Sequence, residues 1–475
     1  MQDRFGLPIS TNSTVAAEAC MEGIDLLLSQ NFGPEEKFQQ AIDADEGFAL
    51  PHAGLAWVSM MRGVASEAKE NVGRAQALAS DMSDREKRQI EALSLWINNK
   101  GPQSLALLRE HLNDYPRDTF MLRLAQRLFI QGCHSAGVPN FPEELFALCQ
   151  SLEKHCSDDW AFLGSYAFAH HETGRLEEAY RLAQKSLEMR PTNAVASHSI
   201  THVFFEQGDA VSGGDFLSNW LEGFDKRAAY HVHLSWHLAL FELAMGGYQK
   251  ALDRYETYIR PSVIAKSAAS LADSASLLWR LQLYCGTPPP KPWDEVRDQA
   301  MPAAGNPGPP FRDAHAALAF AASGDQDALG KAIDGLRTIA DQGNVLAKEM
   351  TLPLVQGIAA FAEGNYGAAV TLMEPPMQQL ERIGGSHAQR EVFEDTLLEA
   401  YLRAEQFDKA ETMLRERLGR RASIRDTFWM GRVQASTGET GPARSTLQDA
   451  IDGWSGADDT SPELANLTSL AGTLS

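Results

Sequence analysis

Residues 160–191, WAFLGSYAFAHHETGRLEEAYRLAQKSLEMRP, decide the fold. Counted from Trp160, a large residue (Tyr166) and a small one (Ala167) are followed by Gly174, a second small residue (Ala179) and finally Pro191. Two helices joined by a tight turn fit this order. Gly174 ends the first helix, Pro191 cannot continue the second, and the alanines let the pair approach closely.

The same register recurs at a spacing near ~34 residues. A unit from Ala194 puts Gly208 at its turn, and one from Val232 uses Ala239, Gly246 and Ala251. Units from Met350 (Gly364, Ala369) and Ile424 (Gly431, Gly438, Ala443, Ala450) repeat it. Near the start, Ala41–Asp45 leads into Phe48 like the end of such a unit, with Gly63 as the next turn. A helix–turn–helix unit of this period is of the tetratricopeptide type. The expected fold is all-α, a tetratricopeptide-like α-solenoid whose antiparallel helix pairs curl into a superhelix around a central groove or pocket. One continuous solenoid is expected, with an N-terminal half at 1–285, a Pro/Gly-rich connecting segment at 286–310 and a C-terminal half at 311–475. Pro288-Pro289-Pro290 and Pro307-Gly308-Pro309-Pro310 mark the connection, and Trp293 with Val296 suggests a docked turn of helix inside it.

At 475 residues, 44% hydrophobic and 22% charged, the composition is that of a globular protein. No apolar run is long enough to span a membrane, and the first residues lack the pattern of a secretory signal. Cys20, Cys133, Cys149, Cys156 and Cys285 form no CxxC pair, so buried thiols in a reducing compartment, the cytoplasm, are expected. A net charge of −21 offers no basic stripe for phosphates, which argues against nucleic acid and anionic membrane as partners.

Several longer strings carry a resemblance. They are Asp3-Arg-Phe-Gly6 with Ser10-Thr11, His198-x-x-x-His202-Val203 and His233-x-x-Trp236-His237-Leu-Ala-Leu. Further on come Asp273-x-x-Ser276-Leu-Leu-Trp-Arg280-Leu, Phe311-x-Asp313-x-His315 and Gly384-Gly-Ser-His387-Ala-Gln-Arg390. With these the chain resembles the tetratricopeptide repeat protein 38 family from about Asp3 to about Ala450. The resemblance implies an all-α helical-repeat solenoid and supplies no activity. The chain departs from the family at Glu206, one position later than the usual acidic residue, and at Gln89, where the family tends to have histidine.

The His198/His202 and His233/His237 pairs occupy similar places in consecutive repeats, and residues four apart share a helix face. In this register His198, His202, Glu206, His233 and Trp236 face the concave groove, His237 sits at its edge, and His171 and Glu172 join from the preceding unit. Curling of the solenoid would bring in His315, with Asp313 beside it, and His387 with Arg390. Three readings stand: core histidines with backbone partners, a ligand pocket of neutral imidazoles, or a metal site. Metal is not expected, because structural zinc usually recruits thiolates and none is nearby. Asp273 and Arg280, seven apart, are read as a buried ion pair. Arg390 is read as a donor to a carboxylate or phosphate, or as a surface partner of Glu391 or Glu394.

The favoured function is binding of a small polar molecule or short peptide in a histidine-lined concave pocket, with no cofactor. The alternatives are an enzyme using His202 with Glu206, or His315 with Asp313, as general acid and base, and an interaction scaffold.

Overall fold

The computed structural model describes residues 1–285 and 293–474. Pro288-Pro289-Pro290 therefore lies outside the described residues. The pair read from residues 160–191 forms as Trp160–Glu172 and Leu176–Met189, with Gly174 between them at φ +76°. The other registers hold as well. Gly208 separates Ala194–Gln207 from Ala210–Glu222, Gly364 separates Leu352–Ala362 from Tyr366–Met377, and Gly438 separates Ile424–Ser436 from Thr440–Gly453. The small residues at helix contacts, Ala167, Ala179, Ala239, Ala251, Ala369, Ala443 and Ala450, are all fully buried. Among the described residues there is no strand, only an isolated bridge between Gln2 and Pro8. None of the helices described is long and apolar enough to cross a membrane.

The two helices of a pair have different surroundings. The second is amphipathic: Leu176–Met189 buries only Ala179, Leu182, Ala183 and Ser186. The first is flanked on both sides, and Trp160–Glu172 buries every residue from Trp160 to His171. Polar side chains on first helices are thus taken from water and must find partners inside the protein.

Two compact units result: Met1–Ile200 with Leu221–His231, and Thr201–Trp220 with Val232–Ser475. In unit 1 the N-terminal segment is bound by the helices that follow it. Asp3 accepts from Arg85 at 2.7 Å, Glu86 takes Ser10 N at 2.9 Å, and Thr11 donates to Asp45 at 2.5 Å. Arg4 bonds Asp25 at 2.8 Å and Asp159 at 2.5 Å. The strings at residues 3–11 and 85–89 are therefore partners of one another. Gln89 donates to the buried Asp118 at 2.6 Å, and His111 reaches the same oxygen at 2.9 Å.

In unit 2 early helices meet late ones. Trp454 Nε1 donates to Ala244 O at 2.9 Å and Arg425 to Leu243 O at 2.8 Å. Gly208 (φ +74°) is so close to the Ala422 carbonyl that a Cβ would collide with it. Trp293 opens the helix Trp293–Gly305 and is buried together with Val296.

Candidate functional site

In unit 2 the first helices bring most of the predicted polar residues to one place. On Ala229–Ala244, His233, Trp236 and His237 occupy one face, with ring centroids of His237 4.8 Å from His233 and 4.7 Å from Trp236. From the Ala194 helix, His202 meets His237 at 4.6 Å. His233 Nδ1 pairs with Asp273 Oδ1 at 3.0 Å, and Trp236 Nε1 donates to Ser276 Oγ at 3.1 Å. One turn beyond His202, Glu206 pairs with His387 Nδ1 at 2.8 Å. Arg390 donates to the Gly385 carbonyl. Arg280 donates to Ala388 O at 2.8 Å, its guanidinium 5.8 Å from the Trp236 ring.

His202 and His237 are buried, whereas His233, Glu206, His387 and Glu394 are half-buried. Burial, reinforced by the positive fields of His233, His387 and Arg390 against that of Glu206, lowers the His202 pKa to about 3 and keeps its ring neutral. At His387 burial acts in the same downward direction, but the charge of Glu206 and hydrogen bonds to Glu206 and Glu394 overcome it and raise the pKa to about 9. Glu206 and Glu394 are shifted below the usual carboxylate range. Burial opposes this, and His387 outweighs it in both, with Glu394 reaching about 2. Glu206 thus pairs with an imidazolium and acts on a neutral imidazole.

His315 is fully buried and held to about 4 by burial, its Nδ1–H donating to Phe311 O at 2.7 Å. Arg280 and Asp273 act on its charge, and its ring lies 5.0 Å from Phe393. Asp313 is not brought to it. Its carboxylate takes Gly308 N at 2.5 Å and Arg312 at 2.7 Å, at the start of its own helix. Two positions along a helix turn a side chain by ~200°, which separates the two residues. His198 falls in unit 1, where its ring stacks on Phe168 at 6.3 Å and meets Tyr230 edge-on at 5.4 Å.

The expected Asp273–Arg280 pair is replaced by contacts to other helices. Asp273 goes to His233, while Arg280 goes to Ala388 O and, at 3.7 Å, to Asp395. Sequence reasoning also missed the charges around the site. His387, Glu391 and Glu394 lie on one face of His387–Arg403 at helical spacing, with ligand atoms within 4.8 Å of one another, a donor set that could hold a cation. Arg417 and Arg421 already pair with Glu391, and Arg420 with Glu394 at 3.4 Å. The helical period was the available signal for this triad; the arginines that meet it come from the next helix, which no spacing reveals.

Two recesses in unit 2, of about 130 Å³ beside Trp279 and Phe361 and about 280 Å³ beside Tyr284 and Arg432, include no histidine. His202, His233 and His237 instead meet ring to ring.

No family model matches the chain. A solved tetratricopeptide repeat protein from Parabacteroides merdae is similar at 12% identity and TM-score 0.29, over 67% of this chain and 99% of that one. A dimer of human IFIT1 with m7Gppp-AAAA is similar at 13% identity and TM-score 0.40, over 91% of this chain and 94% of that one. An IFIT1 monomeric mutant with Gppp-AAAA gives 12% and 0.42, over 95% and 97%. IFIT1 is solved there with a capped oligonucleotide, and for this chain the exclusion of nucleic acid drawn from the net charge does not hold. Net charge sums a whole surface, whereas binding answers to the local field of a cleft. By its own helix pairs, the chain is an all-α, tetratricopeptide-like α-solenoid.

Proposed function

We propose that the chain belongs to the tetratricopeptide repeat protein 38 family and binds a small polar molecule at the histidine cluster of unit 2, in the cytoplasm. The carrying observation is a pair of carboxylate–histidine contacts, His233–Asp273 and His387–Glu206, flanking the buried rings of His202 and His237. Together they offer a charged donor, neutral imidazole edges and a carboxylate within one small neighbourhood, the usual makings of a polar binding site. Because the rings of His202, His233 and His237 touch one another, the half-buried His233, Glu206 and His387 around them suit a small molecule rather than an extended peptide. The five free cysteines, four of them buried, fit a reducing compartment.

A second reading, acid–base catalysis on the same molecule, is favoured by one observation. Burial and charge push His202 to about 3 and His387 to about 9, the separation expected of paired acid and base roles.

Native mass spectrometry of the purified chain tests the proposal. A bound molecule is expected that His233→Asn and Glu206→Gln both release without loss of helical content. Retention of that molecule by both variants, or a chain that binds no member of a small-polar-metabolite panel in calorimetry, would leave the interaction-scaffold reading. Conversion of the identified molecule by wild type and not by His387→Gln supports the catalytic reading.

A further inference from the structure

Unit 1 carries a different cluster. On the helix Thr119–Ile130, Arg123 and Arg127 lie four apart and so on one face. Both are half-buried while Met121, Leu122, Leu124, Ala125, Leu128 and Phe129 fill the rest of the helix surface. Among the described residues no carboxylate acts on either guanidinium; the phenol of Tyr230 acts on both, and Arg123 acts on Arg127. Arg123 donates to Gln126 Oε1 at 2.7 Å. Gln126 is fully buried, yet its Nε2 has no hydrogen-bond partner, and neither has the buried Nε of Arg127.

Two like charges placed side by side and half-buried, with no carboxylate partner, oppose folding. Elsewhere in unit 1 the comparable groups are matched: Arg85 with Asp3, Arg4 with Asp25 and Asp159. Here the missing counter-charge and the orphaned amide donor sit together, and forked guanidinium donors with an amide N–H suit a planar or tetrahedral oxyanion. Burial, together with the neighbouring Arg123, lowers the Arg127 pKa to about 10, the direction expected of a cation awaiting its anion.

We propose that Arg123, Arg127 and Gln126 form an anion-binding site in unit 1, taking the phosphate or carboxylate group of a small ligand. Tyr230, with His198 against its ring, provides the adjoining wall. Neither guanidinium nor the Gln126 amide belongs to the histidine cluster, and either proposal can fail without the other.

The test uses the full chain in chloride buffer. Inorganic phosphate and pyrophosphate form one arm, acetate and citrate the other, each at matched ionic strength, read by thermal shift and calorimetry. Saturable stabilisation by at least one arm is expected, and the stronger arm identifies the oxyanion. Arg127→Gln should weaken that binding about tenfold or more, and Arg127→Lys, which keeps charge but loses the fork, should weaken it less. In chloride alone Arg127→Gln should melt at or above wild type, since it relieves a like-charge pair. No anion-specific shift in either arm would overturn the proposal, as would undiminished anion binding by Arg127→Gln. A Tm of Arg127→Gln well below wild type in chloride would make the arginine structural and equally overturn it.

Discussion

His202, His315 and His387 titrate in opposite directions, and the sign follows from burial against charge. A histidine held neutral by burial has a folded pKa below the unfolded value of about 6.5. The unfolded chain then takes up the proton first, and stability falls as pH drops below about 6.5 until the folded pKa is reached. For His202 and His315 those limits are about 3 and about 4. Each ring steepens acid unfolding by about 1.4 kcal/mol per pH unit across that window. His387, raised to about 9, contributes stability that is complete below about 6.5 and disappears as pH climbs toward 9. His202→Gln should therefore flatten the dependence of unfolding free energy on pH between about 6 and 4, read by chemical denaturation at several pH values. An unchanged slope would mean that His202 is not held neutral. His237→Ala removes a ring 1% exposed and packed on three aromatic neighbours, so a loss of about 2–4 kcal/mol is expected whatever the ring binds. The half-buried His233 is the cleaner probe of ligand binding.

At the scale of helices, the turn glycines were legible because their demand is local. Gly364 sits at φ +78°, and a Cβ added there would meet nothing within 4 Å. Gly364→Ala then costs strain alone, about 1–2 kcal/mol. Gly364→Pro cannot reach this φ and should cost about 3 kcal/mol or more, seen as a lower Tm or loss of folded protein. A proline variant that melts like wild type would contradict the turn. The helix Leu271–Cys285 shows where local reading stops. Its string Asp273, Ser276, Trp279 and Arg280 stands out in the sequence, yet each member serves a different partner: His233, Trp236, Thr396 and Ala388 O respectively. Spacing along one helix shows which residues share a face and is silent about what faces them. Trp279→Phe, which removes the 2.9 Å bond to the buried Thr396, should cost about 1–2 kcal/mol in denaturant unfolding. A smaller loss would mean the hydroxyl finds another partner.

Taken as a chain, the protein follows its repeat register, but closure of unit 2 depends on charges no repeat pattern encodes. Arg417 is 6% exposed and pairs with Asp395 at 2.8 Å, Asp426 at 3.0 Å and Glu391 at 3.5 Å. Asp395 also accepts from Tyr284 at 2.6 Å, and Arg425 pairs with Glu463 at 2.7 Å. The charge of −21 likewise gave no hint that basic groups concentrate at such points. A buried cation shared by these carboxylates, with Glu394 a further one at 4.0 Å, gains little net stability over apolar packing, because the charges were taken from water. Its removal is another matter, since the carboxylates are left facing one another. Arg417→Met should destabilise unit 2 by about 3–5 kcal/mol at pH 7. The loss should shrink as pH falls, because burial already raises the pKa of Asp395, and without Arg417 its proton is held more firmly still. Adding Asp395→Asn to Arg417→Met should restore part of the stability at pH 7 and remove part of that pH dependence. Denaturant unfolding at pH 7 and pH 5 separates these outcomes. An Arg417→Met variant as stable as wild type at both would show that water, rather than the guanidinium, compensates these acids.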